Sequence, residues 1–187
     1  MKTVRARLKS ISPYSQSKHY ELDKLEKESH EAYEKRTWNN RLHFDKDGQV
    51  YIPPMAFKNC LSECAKYLSI TIKGKGKATY TKHFEAGVLV MDKVYLGLNK
   101  DDVPGECFFV PSNGQRGGGT RVNKWFPVIS DWESTVIFYV LDETITEDIF
   151  TSHLIEAGKF IGIGRFRPRN NGFYGRFEVV NIDWDCA

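Results

Sequence analysis

A glycine- and arginine-rich run, residues 162–176, carries the residue types best suited to binding a polyanion. It contains four glycines (Gly162, Gly164, Gly172 and Gly175), four arginines (Arg165, Arg167, Arg169 and Arg176) and the aromatic residues Phe166, Phe173 and Tyr174. Arginine binds phosphate through paired N–H groups, aromatic faces stack on bases, and glycine allows a ligand close to the backbone. The run predicts a single-stranded nucleic-acid site, and the alternative is a turn with solvated arginines.

The placement of the basic residues supports this hypothesis more than their total does. The net charge is only +3, but three windows without acidic residues (66–82, 116–124 and 159–176) hold 13 of the 27 lysines and arginines. Lys73, Lys75 and Lys77 alternate with glycine in the first window, and Arg116 opens the second. Such clustering is typical of nucleic-acid-binding surfaces. The lysine-glycine run is predicted to be a mobile finger on nucleic acid, or else a flexible solvated loop.

The four cysteines (Cys60, Cys64, Cys107 and Cys186) have neither zinc-site nor disulfide-framework spacing. The glycine-rich run at residues 111–120 lacks the Gly-Lys-Ser/Thr helix of a nucleotide-binding loop. We therefore expect free or buried thiols in a reducing cytosol, no metal and no cofactor.

The chain of 187 residues suits one domain with a substantial core. Its N-terminus alternates apolar and basic residues, and no apolar run approaches the length of a membrane span. These features predict a soluble cytoplasmic protein.

The elements that would position the basic residues follow from hydrophobic periodicity. Residues 4–8 alternate as a strand with one buried and one basic face, and Asp47-Gly48 predicts the turn of a hairpin over residues 41–52. Pro53-Pro54 opens a helix with a core stripe at Phe57, Leu61, Cys64, Ala65 and Leu68, and Lys58 lies off that stripe. Residues 22–36 predict a surface helix or a segment ordered by a neighbouring subunit.

The second half predicts strands over residues 84–98, 106–110, 132–141 and 173–182, and residues 121–129 bring the chain back from the glycine-rich run. A helix between the last two of these strands has its core stripe at Ile149, Phe150, His153, Leu154, Ala157 and Ile161. The order approximates an α+β, ferredoxin-like (RRM-like) βαββαβ fold, an antiparallel sheet with two helices on one face. We expect a single domain over residues 1–187, with basic loop and hairpin insertions at about residues 20–40, 70–83 and 111–121.

Three segments of the chain resemble the RAMP superfamily of CRISPR proteins. Residues 4–17 (VRARLKSISPYSQS) are similar to the family's first strand and the Ser-Pro loop that follows it. Residues 50–61 (VYIPPMAFKNCL) resemble the start of its first helix, with Lys58 at the lysine position, although Pro54 and Met55 replace small residues. Residues 162–179 resemble the family's C-terminal glycine-rich loop.

The resemblance implies a non-catalytic protein that coats single-stranded nucleic acid as a homo-oligomer or filament, with or without other CRISPR-type subunits. RNA is favoured as the strand, and single-stranded DNA is the alternative. Lys58 and the arginine-rich run would contact the sugar-phosphate chain, while Phe173, Tyr174 or Trp125 would stack on bases. Members that cut target RNA carry an aspartate before the hairpin. Since Trp38, Asn39 and Asn40 occupy the corresponding region, no cleavage by that route is expected.

Two other functions remain open at the level of the sequence. The RNA-processing branch of the family consists of metal-independent endoribonucleases, and His19, beside Tyr14, Lys18 and Tyr20, is the candidate acid or base. A fold mimic or inhibitor that joins a CRISPR-type complex is the other. The residues predicted to bind nucleic acid are Lys58, Lys73, Lys75, Lys77, Arg116, Arg165, Arg167, Arg169, Phe173, Tyr174 and Arg176.

Overall fold

A computed structural model of the chain describes residues 1–114 and 119–186. The strands in these ranges are β1 (Lys2–Ser10), β2 (Tyr14–Ser15), β3 (Gln49–Ile52), β4 (Val88–Leu89), β5 (Val94–Asn99), β6 (Gly105–Pro111), β7 (Arg121–Ile129), β8 (Glu133–Val140) and β9 (Phe177–Cys186). The α-helices are α1 (His30–Thr37), α2 (Pro54–Leu68), α3 (Thr81–Gly87) and α4 (Glu147–Glu156). No described helix combines the length and apolar character that a membrane crossing requires.

The central sheet has the strand order β4-β8-β1-β9, and every neighbouring pair is antiparallel. Along the chain its strands alternate with two helices as β1, α2, β4, β8, α4 and β9. This order confirms the predicted βαββαβ ferredoxin-like fold. Since side chains alternate along a strand, β1 buries Val4, Ala6 and Leu8 against the helices.

Both helices bury most of the stripes that periodicity predicts, while Leu68 and Ile149 are only partly buried against the core. The α2 stripe (Phe57, Leu61, Cys64 and Ala65) and the α4 residues Phe150, His153 and Leu154 are buried beneath the sheet, with the apolar members in one hydrophobic core. Burying one such phenylalanine or leucine contributes about 1.5–3 kcal/mol, so these stripes dominate the packing of the layer.

The opposite face of β1 carries the predicted basic residues. Arg5 pairs with Asp185 of β9, and Arg7 pairs with Glu133 of β8. Because adjacent strands supply these carboxylates, the positive charge of Arg5 and Arg7 on this face is neutralised.

The remaining strands lie in insertions between the elements of the ferredoxin-like core. β2, β7 and β6 form one small sheet, and β3 and β5 form another. The predicted hairpin turn is present: Phe44 pairs with Val50, and Gly48 has the positive φ of 78° that the turn needs. The sheet of β2, β7 and β6 lies beside the loop that holds the arginines, since both β6 and β7 contribute rings that contact it.

Three predicted elements differ from the structure. Helix α1 covers only the end of residues 22–36, since Ser29 caps it by accepting the Ala32 N–H, while Leu22 and Leu25 stay exposed and give earlier turns no core contact. The single strand predicted over residues 84–98 is wrong: its first residues end helix α3, where Phe84 packs on Phe150 of α4, and the rest forms the two separate strands β4 and β5. The last strand begins at Phe177 rather than at residue 173, because residues 172–175 belong to the preceding loop.

Candidate nucleic-acid interface

Residues 162–176, here called the arginine loop, follow a π-helical turn (Ala157–Ile161) at the end of α4. Gly164 and Gly175 have φ values of +77° and +79°, and a Cβ on Gly175 would lie 1.9 Å from the Ile163 carbonyl oxygen. The loop packs on the segment after β1, because Arg165 N–H donates to Ser15 O and Gly175 N–H donates to Pro13 O, both at 2.8 Å. Glycine is therefore required for the close approach that fixes the direction of the arginines.

Arg165 lies over aromatic rings, and among the described residues it forms no salt bridge. Its guanidinium carbon is 3.6 Å from the ring centre of Phe126 and 4.9 Å from that of Phe108. The buried Nη1 has no hydrogen-bond partner, and no carboxylate in the described part of the chain pairs with this side chain. Burial lowers the pKa of Arg165 to about 10, so the group stays cationic at neutral pH. Arg165 thus carries a charge that no described carboxylate pairs with, and its Nη1 is a buried donor without a partner.

Aromatic residues surround this guanidinium in a cleft of about 620 Å³, here called the aromatic cleft. Phe109 and Phe173 are the most exposed of its rings, at 61% and 58%. Its lining includes Ser17, Arg41, Phe108, Phe109, Lys124, Phe126, Arg165, Phe166, Phe173 and Tyr174. Exposed rings beside a cation are what base stacking and phosphate binding require together.

Arg41 is a second cation in the cleft that sequence reasoning missed. It stacks on Phe126 at 4.7 Å and on Tyr20 at 5.3 Å, and Glu34 pairs with it at 2.9 Å. Since Arg41 and Glu34 lie in the insertion between β1 and α2, no local pattern links either of them to the arginine loop.

A second depression, of about 360 Å³, lies at the N-terminus of α2. It is lined by Pro53, Met55 and Ala56 on the helix side and by Gly164, Arg165 and Arg167 on the loop side. No side chain caps this helix end. The partial positive charge of a helix N-terminus and two arginines together favour an anion at this point.

A third depression, of about 710 Å³, follows the outer face of α2 and is lined by Asn59, Ser62, Glu63, Lys66, Tyr67, Glu85, Arg167 and Arg169. The aromatic cleft shares Ser17 and Arg165 with the second depression, which shares Asn59 and Arg167 with the third. The three depressions adjoin through these shared residues, and together they are here called the arginine track.

The other predicted residues differ in their relation to the track. Phe173 and Tyr174 line the aromatic cleft. Arg176 instead donates to the carbonyl oxygens of Lys159 at 3.2 Å and Phe173 at 3.3 Å, which ties the end of the arginine loop to the turn that precedes it. Trp125 does not line the cleft; its neighbour Phe126 does, as alternation along β7 requires.

Lys58 lies next to the track but does not line it. Its ammonium donates to Ser62 Oγ at 2.6 Å and to the carbonyl oxygens of Glu85 and Phe84 at 2.8 and 3.3 Å, and burial lowers its pKa. These bonds join α2 to α3, so a phosphate would have to replace one of them.

Lys73, Lys75 and Lys77 are exposed in a loop closed by the Thr71–Thr79 bridge, beyond the C-terminal end of α2. At 1.5 Å per residue, that end is about 20 Å from the helix N-terminus, and none of the three lysines lines the track. Arg116 lies outside the described residues.

His19 is 87% exposed, and its Nε2 lies 3.5 Å from Glu21. Tyr14, one of its predicted companions, is instead buried in the core, where Gln16 donates to its hydroxyl. The Tyr20 hydroxyl is hydrogen-bonded to Thr37 at 2.8 Å. The described residues include no group of three His, Cys, Asp or Glu side chains arranged to hold a metal ion.

Comparison with known proteins found similarity at the level of structure. No family model matches the sequence, and no curated protein matches it. The fold is similar to a chain in the cryo-EM structure of the type III-B Cmr-beta bound to cognate target RNA, with a TM-score of 0.57 and 13% identity over 98% of this chain and 60% of that one. It is also similar to Cmr6 from Pyrococcus furiosus, with a TM-score of 0.51 and 13% identity over 95% of this chain and 97% of that one.

The protein therefore spans about three fifths of the first of these chains and nearly all of the second. The ferredoxin-like fold that the sequence predicts is confirmed, and both of these solved chains are similar to it over nearly the whole of this chain.

Proposed function

We propose that this protein is a non-catalytic, RNA-binding subunit of a CRISPR-type ribonucleoprotein and holds single-stranded RNA along the arginine track. The observation that carries the proposal is Arg165, a guanidinium without an acidic partner among the described residues, stacked at 3.6 Å on Phe126 inside a cleft of exposed rings. The shared fold supports it, since one similar chain belongs to a complex bound to target RNA.

In the proposed mechanism, backbone phosphates contact Arg165 and the N-terminus of α2, while bases stack on the exposed rings of Phe109 and Phe173. Stacking uses a face that every base possesses, so sequence preference is weak. Each neutralised phosphate contributes about −0.7 to the slope of log affinity against log salt for a single strand. In this proposal, several copies of the protein bind side by side on one RNA strand.

Replacing Arg165 tests the site assignment. Because a charge-assisted hydrogen bond contributes about 1.5–3 kcal/mol, we expect Arg165→Ala to weaken binding of a fluorescein-labelled oligouridylate by about tenfold or more, measured by fluorescence anisotropy. Arg5→Ala removes the same charge from the open face of the sheet, where Arg5 pairs with Asp185, and should change affinity by less than about twofold. Equal effects of the two substitutions would contradict the assignment, and thermal unfolding of both variants controls for folding.

The non-catalytic part of the proposal has its own test. We expect end-labelled RNA to remain intact with wild-type protein and with His19→Ala, because His19 is solvent-exposed and its predicted companion Tyr14 is buried in the core. If the wild type cleaves the RNA and the variant does not, the protein is a metal-independent ribonuclease and the non-catalytic proposal is wrong.

A further inference from the structure

Two arginines of the track share a carboxylate that comes from another element. Arg167 Nη2 is 2.9 Å from Glu63 Oε2, and Arg169 Nε is 3.1 Å from Glu63 Oε1. Each oxygen of Glu63 therefore meets a different guanidinium. The non-bridging oxygens of a phosphodiester could make the same pair of contacts, because guanidinium groups bind carboxylate and phosphate in the same way.

The two arginines have further contacts that do not depend on Glu63. Arg167 Nη1 lies 3.5 Å from the Gly162 carbonyl oxygen, and the Arg169 guanidinium lies over the Tyr67 ring at 5.9 Å. The three side chains are 22%, 47% and 29% exposed for Arg167, Arg169 and Glu63. Arg169 is exposed, and Arg167 and Glu63 are partly exposed, so solvent screens these ion pairs and a ligand with higher charge density can displace the carboxylate.

We propose that Glu63 is an internal competitor for a phosphate-binding subsite formed by Arg167 and Arg169 in the third depression. A phosphodiester of the bound strand takes the place of the carboxylate, which turns away from the two guanidinium groups. Glu63 thereby sets the affinity of this part of the track, and a short strand that fills only the aromatic cleft leaves the ion pairs intact. The inference rests on the proposed function.

The experiment compares Glu63→Gln with Glu85→Gln. Both residues line the third depression and both substitutions add one unit of net positive charge, but it is the carbonyl oxygen of Glu85 that contacts Lys58. We expect Glu63→Gln to tighten binding of the labelled oligouridylate by about fivefold, because the phosphate no longer has to displace a carboxylate from the two arginines. Glu85→Gln should tighten binding by less than about twofold.

A double-mutant cycle tests whether Glu63 changes the affinity for RNA through Arg167 and Arg169. In an Arg167→Ala/Arg169→Ala background, Glu63→Gln should no longer tighten binding, because the groups for which Glu63 competes are gone. Weaker or unchanged binding by Glu63→Gln alone, or an increase in affinity equal to that of Glu85→Gln, overturns the inference while the proposed function stands. Absence of RNA binding by the wild type and every variant at low salt overturns both.

Discussion

Arg165 differs from the other three arginines of its loop in what surrounds its charge. Arg167 and Arg169 meet Glu63, and Arg176 donates to backbone carbonyls, whereas the described contacts of Arg165 are with aromatic rings and backbone. A guanidinium stacked on rings is desolvated without acquiring a counter-ion, which is why burial lowers its pKa. A phosphate would supply the missing partner, so Arg165 is the residue that a bound strand would stabilise most.

Base stacking on the exposed rings of the aromatic cleft can be tested by substitution. Since stacking of one base on an aromatic side chain contributes about 1–3 kcal/mol, Phe109→Ala/Phe173→Ala should weaken RNA binding by about tenfold or more. The rings are 61% and 58% exposed, so the melting temperature should hardly change. Anisotropy titration and thermal unfolding measure the two effects.

Leu25→Ala/Met91→Ala is the matched control, because these side chains are 61% and 60% exposed and lie outside the track. The control should bind RNA as the wild type does. If both double variants bind equally well, bases do not stack in the cleft.

Among the secondary-structure elements, α2 links the core to the track. Its inner stripe packs beneath the sheet, its N-terminus lines the second depression, and its outer face supplies Glu63. Helix α4 supports the same layer through His153, whose ring stacks on Phe84 of α3 at 4.4 Å and whose Nδ1 is 2.7 Å from the Ile149 carbonyl oxygen.

His153 makes the packing of α3 on α4 sensitive to pH. Burial lowers the pKa of His153 below its usual value, so in the acidic range the unfolded state binds more protons than the folded state. Stability is therefore lost as pH falls below the ordinary histidine pKa of about 6.5, and it is recovered above that value. The melting temperature should decrease between about pH 7.5 and about pH 5.5.

His153→Phe preserves a stacked ring without the titrating group and should reduce this decrease. His43, whose pKa is also lowered by burial, contributes a residual effect of the same sign. A variant with the full pH dependence of the wild type would exclude His153 as its source.

Across the whole molecule, the basic residues lie on more than one surface. The arginine track passes along α2, and residues 71–79, here called the lysine loop because they contain Lys73, Lys75 and Lys77, lie beyond the C-terminal end of that helix. A strand that follows the track past this end would approach Lys73, Lys75 and Lys77, whereas a strand confined to the cleft would not.

Oligonucleotide length should separate these two situations. Lys73→Ala/Lys75→Ala/Lys77→Ala should weaken binding of a long oligouridylate and leave a short one nearly unaffected, most clearly at low salt, where the Debye length is greatest. Lys24→Ala/Lys27→Ala/Lys46→Ala removes the same charge from exposed positions elsewhere and should show no dependence on length. Equal losses for both oligonucleotides in the lysine-loop variant would argue against a strand that extends past α2.

The sequence by itself determined the order of the core elements, their buried stripes and the loop in which glycine and arginine alternate. The spacing of apolar residues along a helix or strand follows which side chains are buried, and Phe57, Leu61 and Phe150 are therefore correctly predicted as core residues. The short helix α3 was missed, since Phe84 packs across the chain against Phe150 and His153 and no local period marks that contact.

Only the tertiary structure decided which charges remain available. The arginine loop lies in a window of the sequence without acidic residues, yet Glu63 of α2 forms ion pairs with Arg167 and Arg169. Arg165 instead contacts the ring of Phe126 from β7. Lys58, which periodicity places off the core stripe, is engaged by Ser62 and the backbone of α3. Hydrophobic burial follows local spacing, but charge pairing depends on which distant segments the fold brings within a few ångströms, and that is set by sheet register and helix packing.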